Sequence, residues 1–139
     1  MGLFPVFLKL KGRRCLVVGA GTVAEAKVRS LLEGGADVRV MAPRATETLQ
    51  QWAGEGKLVW QSRSFEPLDL EGMFLVVVAT SSRQLNERVS REAARRRVLC
   101  NAGDDPARCD FYHGAVVRRG PLQIAISARD SSDKRRVSL

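Results

Sequence analysis

A chain of 139 residues with 45% hydrophobic side chains is long enough for one globular domain with a real core. Its 23 Lys and Arg against 15 Asp and Glu give a net charge of +8, a field that favours polyanionic partners. The charges are spread over helix faces and a C-terminal tail without interleaved aromatics, which speaks against nucleic acid and suits a small polycarboxylate ligand equally well. No apolar run reaches the length of a membrane span, and the opening Met1-Gly2-Leu3-Phe4-Pro5 lacks the basic start of a secretory signal, so the expected address is the cytoplasm. Cys15, Cys100 and Cys109 form no C-x-x-C pair, which argues against a disulfide framework or a thiolate metal site. Cys15 and Cys100 fall in apolar strands and read as inert core residues, whereas Cys109 lies in a polar loop.

In chain order, Leu3–Leu10 is a short apolar segment broken by Pro5, expected as an edge strand or an arm across the sheet. After the turn at Lys11-Gly12-Arg13, the run Cys15-Leu16-Val17-Val18 stops at Gly19-Ala20-Gly21-Thr22-Val23-Ala24 and passes into helix-forming sequence, with Ala26, Val28, Leu31 and Leu32 at helical spacing. The pattern is G-x-G-x-x-A, in the strand–turn–helix context that a dinucleotide fingerprint requires. Gly19 permits the turn, Gly21 leaves the backbone open to a pyrophosphate, and small Ala24 lets helix and strand pack closely. The free N–H groups at the helix start and the positive end of its dipole would hold the anion. Gly34-Gly35 ends the helix.

Asp37–Ala42 alternates and stops at Pro43, giving a second strand and completing a βαβ unit. The acid that normally binds a ribose 2′-hydroxyl at this strand end is missing. Arg44 either faces a 2′-phosphate there or begins the next helix as a solvated side chain. Thr46–Glu55 is a short amphipathic helix with Leu49 and Trp52 inward, Lys57–Gln61 a third strand, and Met73–Thr80 a central strand apolar on both faces. Its end at Thr80-Ser81-Ser82 lies at the carboxyl edge of the sheet, where ligands bind in such folds. Ser81 or Ser82 is expected to cap the helix Gln84–Arg97. Val98–Asn101 is the fifth strand, and the loop Ala102–Asp110 brings carboxylates to the same edge. Ala115–Val117 and Leu122–Ser127 form a hairpin about Arg118-Arg119-Gly120-Pro121, outside the βα rhythm. The polar segment from Arg129 to Leu139 is expected to be disordered. The fold class that follows is a doubly wound, Rossmann-like α/β parallel sheet with strand order 3-2-1-4-5 and a C-terminal β-hairpin.

Leu3-Phe4-Pro5-Val6-Phe7-Leu8, Lys11-Gly12-Arg13, Gly19–Ala24 with Lys27, Ala42-Pro43, Ala79-Thr80-Ser81 with Asn86, Cys100-Asn101 leading to Asp104-Asp105, and Arg119–Ser127 occur here in order. As a set, from about Leu3 to Ser127, they resemble the precorrin-2 dehydrogenase domain of siroheme synthases. The resemblance implies NAD-dependent oxidation of precorrin-2, a tetrapyrrole with eight carboxylates, to sirohydrochlorin, and in some members insertion of ferrous iron. It implies NAD rather than NADP, a homodimer, and a general-base role for Asp104. A base is chemically apt, because aromatising the macrocycle requires hydride loss to the nicotinamide and proton loss to a carboxylate. Thr22, Val23, Pro43 and Arg44 match positions lining the cofactor, with Thr80 and Asn101 on the nicotinamide side.

His113, the only histidine, reads as an incidental hairpin residue and no metal site is expected. Two features depart from the family pattern: Asn101-Ala102-Gly103 before Asp104, and Ala128-Arg129-Asp130 where relatives continue into a Gly-Ser-Pro stretch and a helical region. The expected organisation is an NAD-binding domain over 1–113, a shortened dimerisation hairpin over 114–127 and a disordered tail over 128–139. Two other readings compete: a dinucleotide-sensing regulatory module, and a truncated inactive relative.

Overall fold

The computed structural model describes residues 2–103 and 105–127. The catalytic candidate Asp104 and the tail 128–139 lie outside the described residues. Five strands, β1 (Arg14–Val18), β2 (Asp37–Met41), β3 (Val59–Gln61), β4 (Leu75–Val78) and β5 (Leu99–Ala102), form one sheet in the order β3-β2-β1-β4-β5. Every pairing in it is parallel. The helices are α1 (Thr22–Glu33), α2 (Glu47–Gly54) and α3 (Arg83–Arg95), with single 3-10 turns at Pro67–Leu70 and Pro106–Arg108. The doubly wound architecture and its strand order are as the sequence predicts.

Burial on both faces explains the near-continuous apolar strands. Leu16, Val18, Val76, Val78, Cys100 and Ala102 share one face and pack with Phe65, Leu70, Val89 and Ala93 from the connecting segment and α3. The alternate residues Cys15, Val17, Val38, Val40 and Val77 point to the opposite face, the side that α1 covers with Ala24, Val28 and Leu31. Ala24 is fully buried, as the close packing of helix and strand demands, whereas Ala26 is exposed and takes no part in the core.

Strand and helix ends differ from expectation by one or two residues: β3 begins at Val59, β4 runs only from Leu75 to Val78, and α3 covers Arg83–Arg95. Ser82 caps α3, its hydroxyl accepting from Leu85 N at 3.2 Å. The expected edge strand at Leu3–Leu10 is a correction: these residues form no strand, and Phe4 and Phe7 are 87% and 68% exposed. Pro5 has no N–H for a ladder, and only a neighbour could supply the hydrogen bonds that an isolated extended segment lacks.

The chain divides into two compact units. One is Leu8–Asp110, carrying the whole five-stranded sheet; the other joins residues 2–7 with 111–127. In the second unit β6 (Ala115–Arg119) pairs antiparallel with β7 (Leu122–Ile126) through the two-residue loop Gly120-Pro121. Gly120 takes φ +56°, the sign that such a loop needs at its first position. No helix among the described residues is long and apolar enough to cross a membrane.

Candidate cofactor site

The carboxyl ends of β1 and β4 part company at the point where the chain order reverses, and there α1 begins. The turn between β1 and α1 is locked on three sides. Gly19 N donates to Met41 O of β2 (3.1 Å), Ala79 N to Val18 O (2.8 Å), and Thr46 N, at the cap of α2, to Ala20 O (3.1 Å). Gly19 has φ +110°, and a Cβ there would fall 2.3 Å from Ala79 O, so only glycine fits between the two strands.

Gly21 is different. Its backbone is extended (φ −89°, ψ −165°), it caps α1 with no side-chain hydrogen bond to the helix, and a Cβ on it would meet nothing within 4 Å. The protein itself therefore does not require glycine at position 21. The bare backbone faces open space in a cleft, beside the N–H groups that begin α1, and that is the cradle a pyrophosphate needs.

The cleft encloses about 1320 Å³. That exceeds the roughly 300–1,000 Å³ of a pocket for one small ligand and leaves room for a dinucleotide with a second molecule beside it. Gly19, Gly21, Thr22, Val23, Pro43 and Thr80 all line it, as do Gly103 and Asp105 on either side of position 104. Two expected site residues do not. Arg44 is exposed just beyond Pro43, and Asn101 is 4% exposed, its Nδ2 3.8 Å from Cys109 Sγ.

Side chains fix both rims. At the β2 end, Trp60 Nε1 donates to Ala42 O (2.9 Å) and Ser62 Oγ to Pro43 O (2.8 Å). After β4, Asn86 reaches back from α3: its Nδ2 donates to Thr80 O (3.1 Å) and its Oδ1 accepts from Thr80 Oγ1 (2.5 Å). After β5, the Asp110 carboxylate accepts from Cys100 N (3.0 Å) while Asp110 N donates to Cys100 O (2.7 Å).

Cys109 stitches the same loop. Its Sγ accepts from Ala102 N and donates to Asp105 O, each at 3.3 Å. Donating requires the protonated thiol. Burial pushes the Cys109 thiol up, and although the Ala102 N–H favours the thiolate, the net direction is upward. Cys109, left open by the sequence, is thus a structural clasp. Arg108 adds a bridge, Nε to Asp105 (2.8 Å) and Nη2 to Glu87 of α3 (3.2 Å).

Cationic Lys27, Arg83 and Arg108 line the cleft, and sequence reasoning gave none of them a role. Position was the available signal: Lys27 lies in the first half of α1, Arg83 directly follows the Thr-Ser-Ser edge, and Arg108 sits inside the acidic loop.

Comparison with known proteins agrees with this geometry. The siroheme synthase of Nitrosococcus oceani is 42% identical over 132 residues, 95% of this chain and 28% of that protein. The siroheme synthase of Photorhabdus laumondii is 42% identical over 128 residues, 92% of this chain and 27% of that protein. The chain thus spans little more than a quarter of the length of these curated relatives. Among solved structures, SirC, a precorrin-2 dehydrogenase, superposes with a TM-score of 0.81 at 30% identity, over 95% of this chain and 64% of that one. The family model described as NAD(P)-binding matches residues 6–115, which include the whole sheet and every residue of the cleft. The chain belongs to that NAD(P)-binding family.

Proposed function

We propose that the chain is the NAD-dependent dehydrogenase module of siroheme synthesis, oxidising precorrin-2 to sirohydrochlorin. The observation that carries the reading is the shared cleft: the open backbone at Gly21 and the acidic loop after β5 border one cavity large enough for cofactor and substrate together. The similarity to siroheme synthases and to SirC supports the choice of substrate.

When bound, NAD supplies the hydride acceptor. The residues of the chain do the rest. The N–H groups opening α1 would hold the pyrophosphate, and the Thr80–Asn86 clamp fixes the loop after β4 that borders the cleft. Lys27 and Arg83 offer charge to substrate carboxylates. Asp104, next in sequence to two cleft-lining residues, would take the substrate proton in the oxidation for which a bound cofactor supplies the hydride acceptor. The balance is two electrons and one proton to NAD as hydride, and one proton to the carboxylate. In members that also chelate iron, the same base would accept pyrrole N–H protons.

The working form in this reading is a cytoplasmic homodimer. Its support is that Phe4, Val6, Phe7, Tyr112, Val116 and Leu122, all in the second unit, are strongly exposed apolar side chains. The test is anaerobic incubation of the chain with precorrin-2 and NAD. Sirohydrochlorin absorbance rising in step with NADH is the expected result, and absence of both under conditions where a full-length relative works overturns the reading.

A further inference from the structure

Two consecutive residues of α3 hold two different walls of the cleft. Asn86 reaches the loop after β4, with Nδ2 donating to Thr80 O at 3.1 Å, and Glu87 reaches the loop after β5, with Oε1 3.2 Å from Arg108 Nη2. All four residues line the cleft. A helix is a stiff bar, so the spacing between the two loops is set from its first turns.

On the other side of Arg108 the grip continues into the loop itself. Arg108 Nε donates to Asp105 Oδ2 (2.8 Å), and Asp105 is the residue on which the segment closes. Asp105 N donates to Ala102 O (3.3 Å), its carbonyl oxygen accepts from Arg108 N (3.0 Å) and Cys109 Sγ (3.3 Å), and its Oδ1 accepts from Ala107 N (3.2 Å). Both carboxylate oxygens are therefore engaged. Two acids on one guanidinium leave Arg108 little charge to offer a substrate carboxylate. The side chains of Arg108, Glu87 and Asp105 are 35%, 40% and 50% exposed, and ion pairs so open to water add little to global stability. What the bridge does is fix a place.

We infer that Arg108 is a positioning residue: by bridging Asp105 to Glu87 it holds the acidic loop at a fixed spacing from the loop after β4. This rests on the dehydrogenase reading above, in which the base is Asp104, the sequence neighbour of Asp105, and the hydride acceptor is a cofactor in the same cleft. Misplacing a reacting group by about 1 Å costs up to roughly a hundredfold in rate, so a loosened loop should show in turnover before it shows in stability.

The test uses the full chain and two readouts: anaerobic turnover of precorrin-2 with NAD, and the rate at which a thiol reagent modifies Cys109, whose hydrogen bond to Asp105 O reports opening of the loop. Arg108→Ala should melt within about 4 °C of the parent. It should raise the Cys109 rate about threefold or more and lower kcat about tenfold, with KM and NAD affinity within about twofold. Arg108→Lys should recover part of kcat. Glu87→Gln should lower kcat on its own and add nothing to Arg108→Ala, since both break one bridge. Should Arg108→Ala melt lower than expected, Glu87→Gln carries the same two readouts. Parental kcat in Arg108→Ala, with Asp104→Asn inactive, overturns the inference and leaves the dehydrogenase reading intact. So do a raised KM at unchanged kcat, which makes Arg108 a substrate ligand, additive losses from Glu87→Gln and Arg108→Ala, and a Cys109 rate equal to the parent's. A parent that forms neither sirohydrochlorin nor NADH removes the dehydrogenase reading and this inference together.

Discussion

A Cβ on Gly19 would sit 2.3 Å from the carbonyl oxygen of Ala79, whereas one on Gly21, two residues on, would touch nothing. The two glycines of one motif thus answer to different demands, the first to the fold and the second to a ligand. Gly19→Ala should destabilise the protein by about 3 kcal/mol or more, because φ +110° is strained for alanine and the clash is with backbone of β4's end. Gly21→Ala should cost no more than about 1 kcal/mol, the loss of a favoured N-cap residue, yet lose tenfold or more in NAD affinity. Thermal unfolding paired with cofactor titration checks both. Equal stability losses in the two variants would remove the distinction.

That division also marks what the sequence makes legible. The existence of the strands, a serine cap at Ser81 or Ser82 and the buried role of Ala24 follow from local pattern, because each depends on neighbours within a few residues or on a period of two or 3.6, and the strand order follows from the rules of the doubly wound fold. The clasp by Cys109 and the bridge from Arg108 to Glu87 do not, since they join side chains from separate elements that only the folded sheet edge brings together. Leu3–Leu10 misleads for a related reason. Its apolar pattern resembles a strand, but a strand also needs a partner for its backbone, and composition carries no information on that.

The end of α3 holds the one described non-glycine residue at positive φ. Arg97, at φ +57°, occupies the left-handed position of a Schellman motif: Val98 N donates to Ala93 O (2.9 Å) and Arg97 N to Ala94 O (3.3 Å). Val98 and Ala93 join the same buried cluster, so the reversal has to occur here. Arg97→Gly should stabilise the chain by about 1 kcal/mol by removing the left-handed penalty. Chemical denaturation would show a higher midpoint at unchanged slope.

Acid sensitivity should concentrate at Asp69. Burial alone would raise its carboxyl, but hydrogen bonds from Arg63 and from Glu66 N, with the Arg63 charge, outweigh that and hold it below the usual carboxylate range. A folded-state value below the unfolded one means stability that is complete above the unfolded value and is lost as pH falls through the folded one. Asp69→Asn should therefore melt below the parent at neutral pH, and the gap should close as the solution is acidified below about pH 4. A gap constant with pH would show that the ion pair is not responsible.

On the alkaline side the buried thiols take over. Burial, with the Asp37 charge adding to it, raises Cys15 to about 11, and burial, with Asp110 adding, raises Cys100 to about 12. Above pH 9 the unfolded thiols ionise while the folded ones stay protonated, so stability falls as pH rises toward those values. Each thiol contributes at most about 1.4 kcal/mol per pH unit in that window. Cys15→Ala and Cys100→Ala should flatten the decline between pH 9 and 11, measured against their own neutral-pH stabilities. In the native chain a thiol reagent should reach Cys109 first and leave Cys15 and Cys100 until unfolding, since both are buried.

Asp104 separates an enzyme from a module that merely holds the dinucleotide. Its neighbours Gly103 and Asp105 line the cleft, and the later part of the loop is held by Asp110 to Cys100 and by Arg108 to Glu87. A general base contributes roughly 10²–10⁴ in rate. Asp104→Asn keeps size and polarity but cannot accept the proton, so turnover of precorrin-2 should fall by about a hundredfold or more with NAD affinity held within about twofold. A base acting only in the chemical step lowers kcat with little change in KM, whereas a residue that anchors substrate carboxylates raises KM. Arg83→Ala should show that second pattern, because this cationic residue lines the same cleft from the start of α3. Stopped-flow formation of NADH under anaerobic conditions gives both constants. If Asp104→Asn turns over like the parent, the acidic loop is scaffolding and the proton leaves by another route.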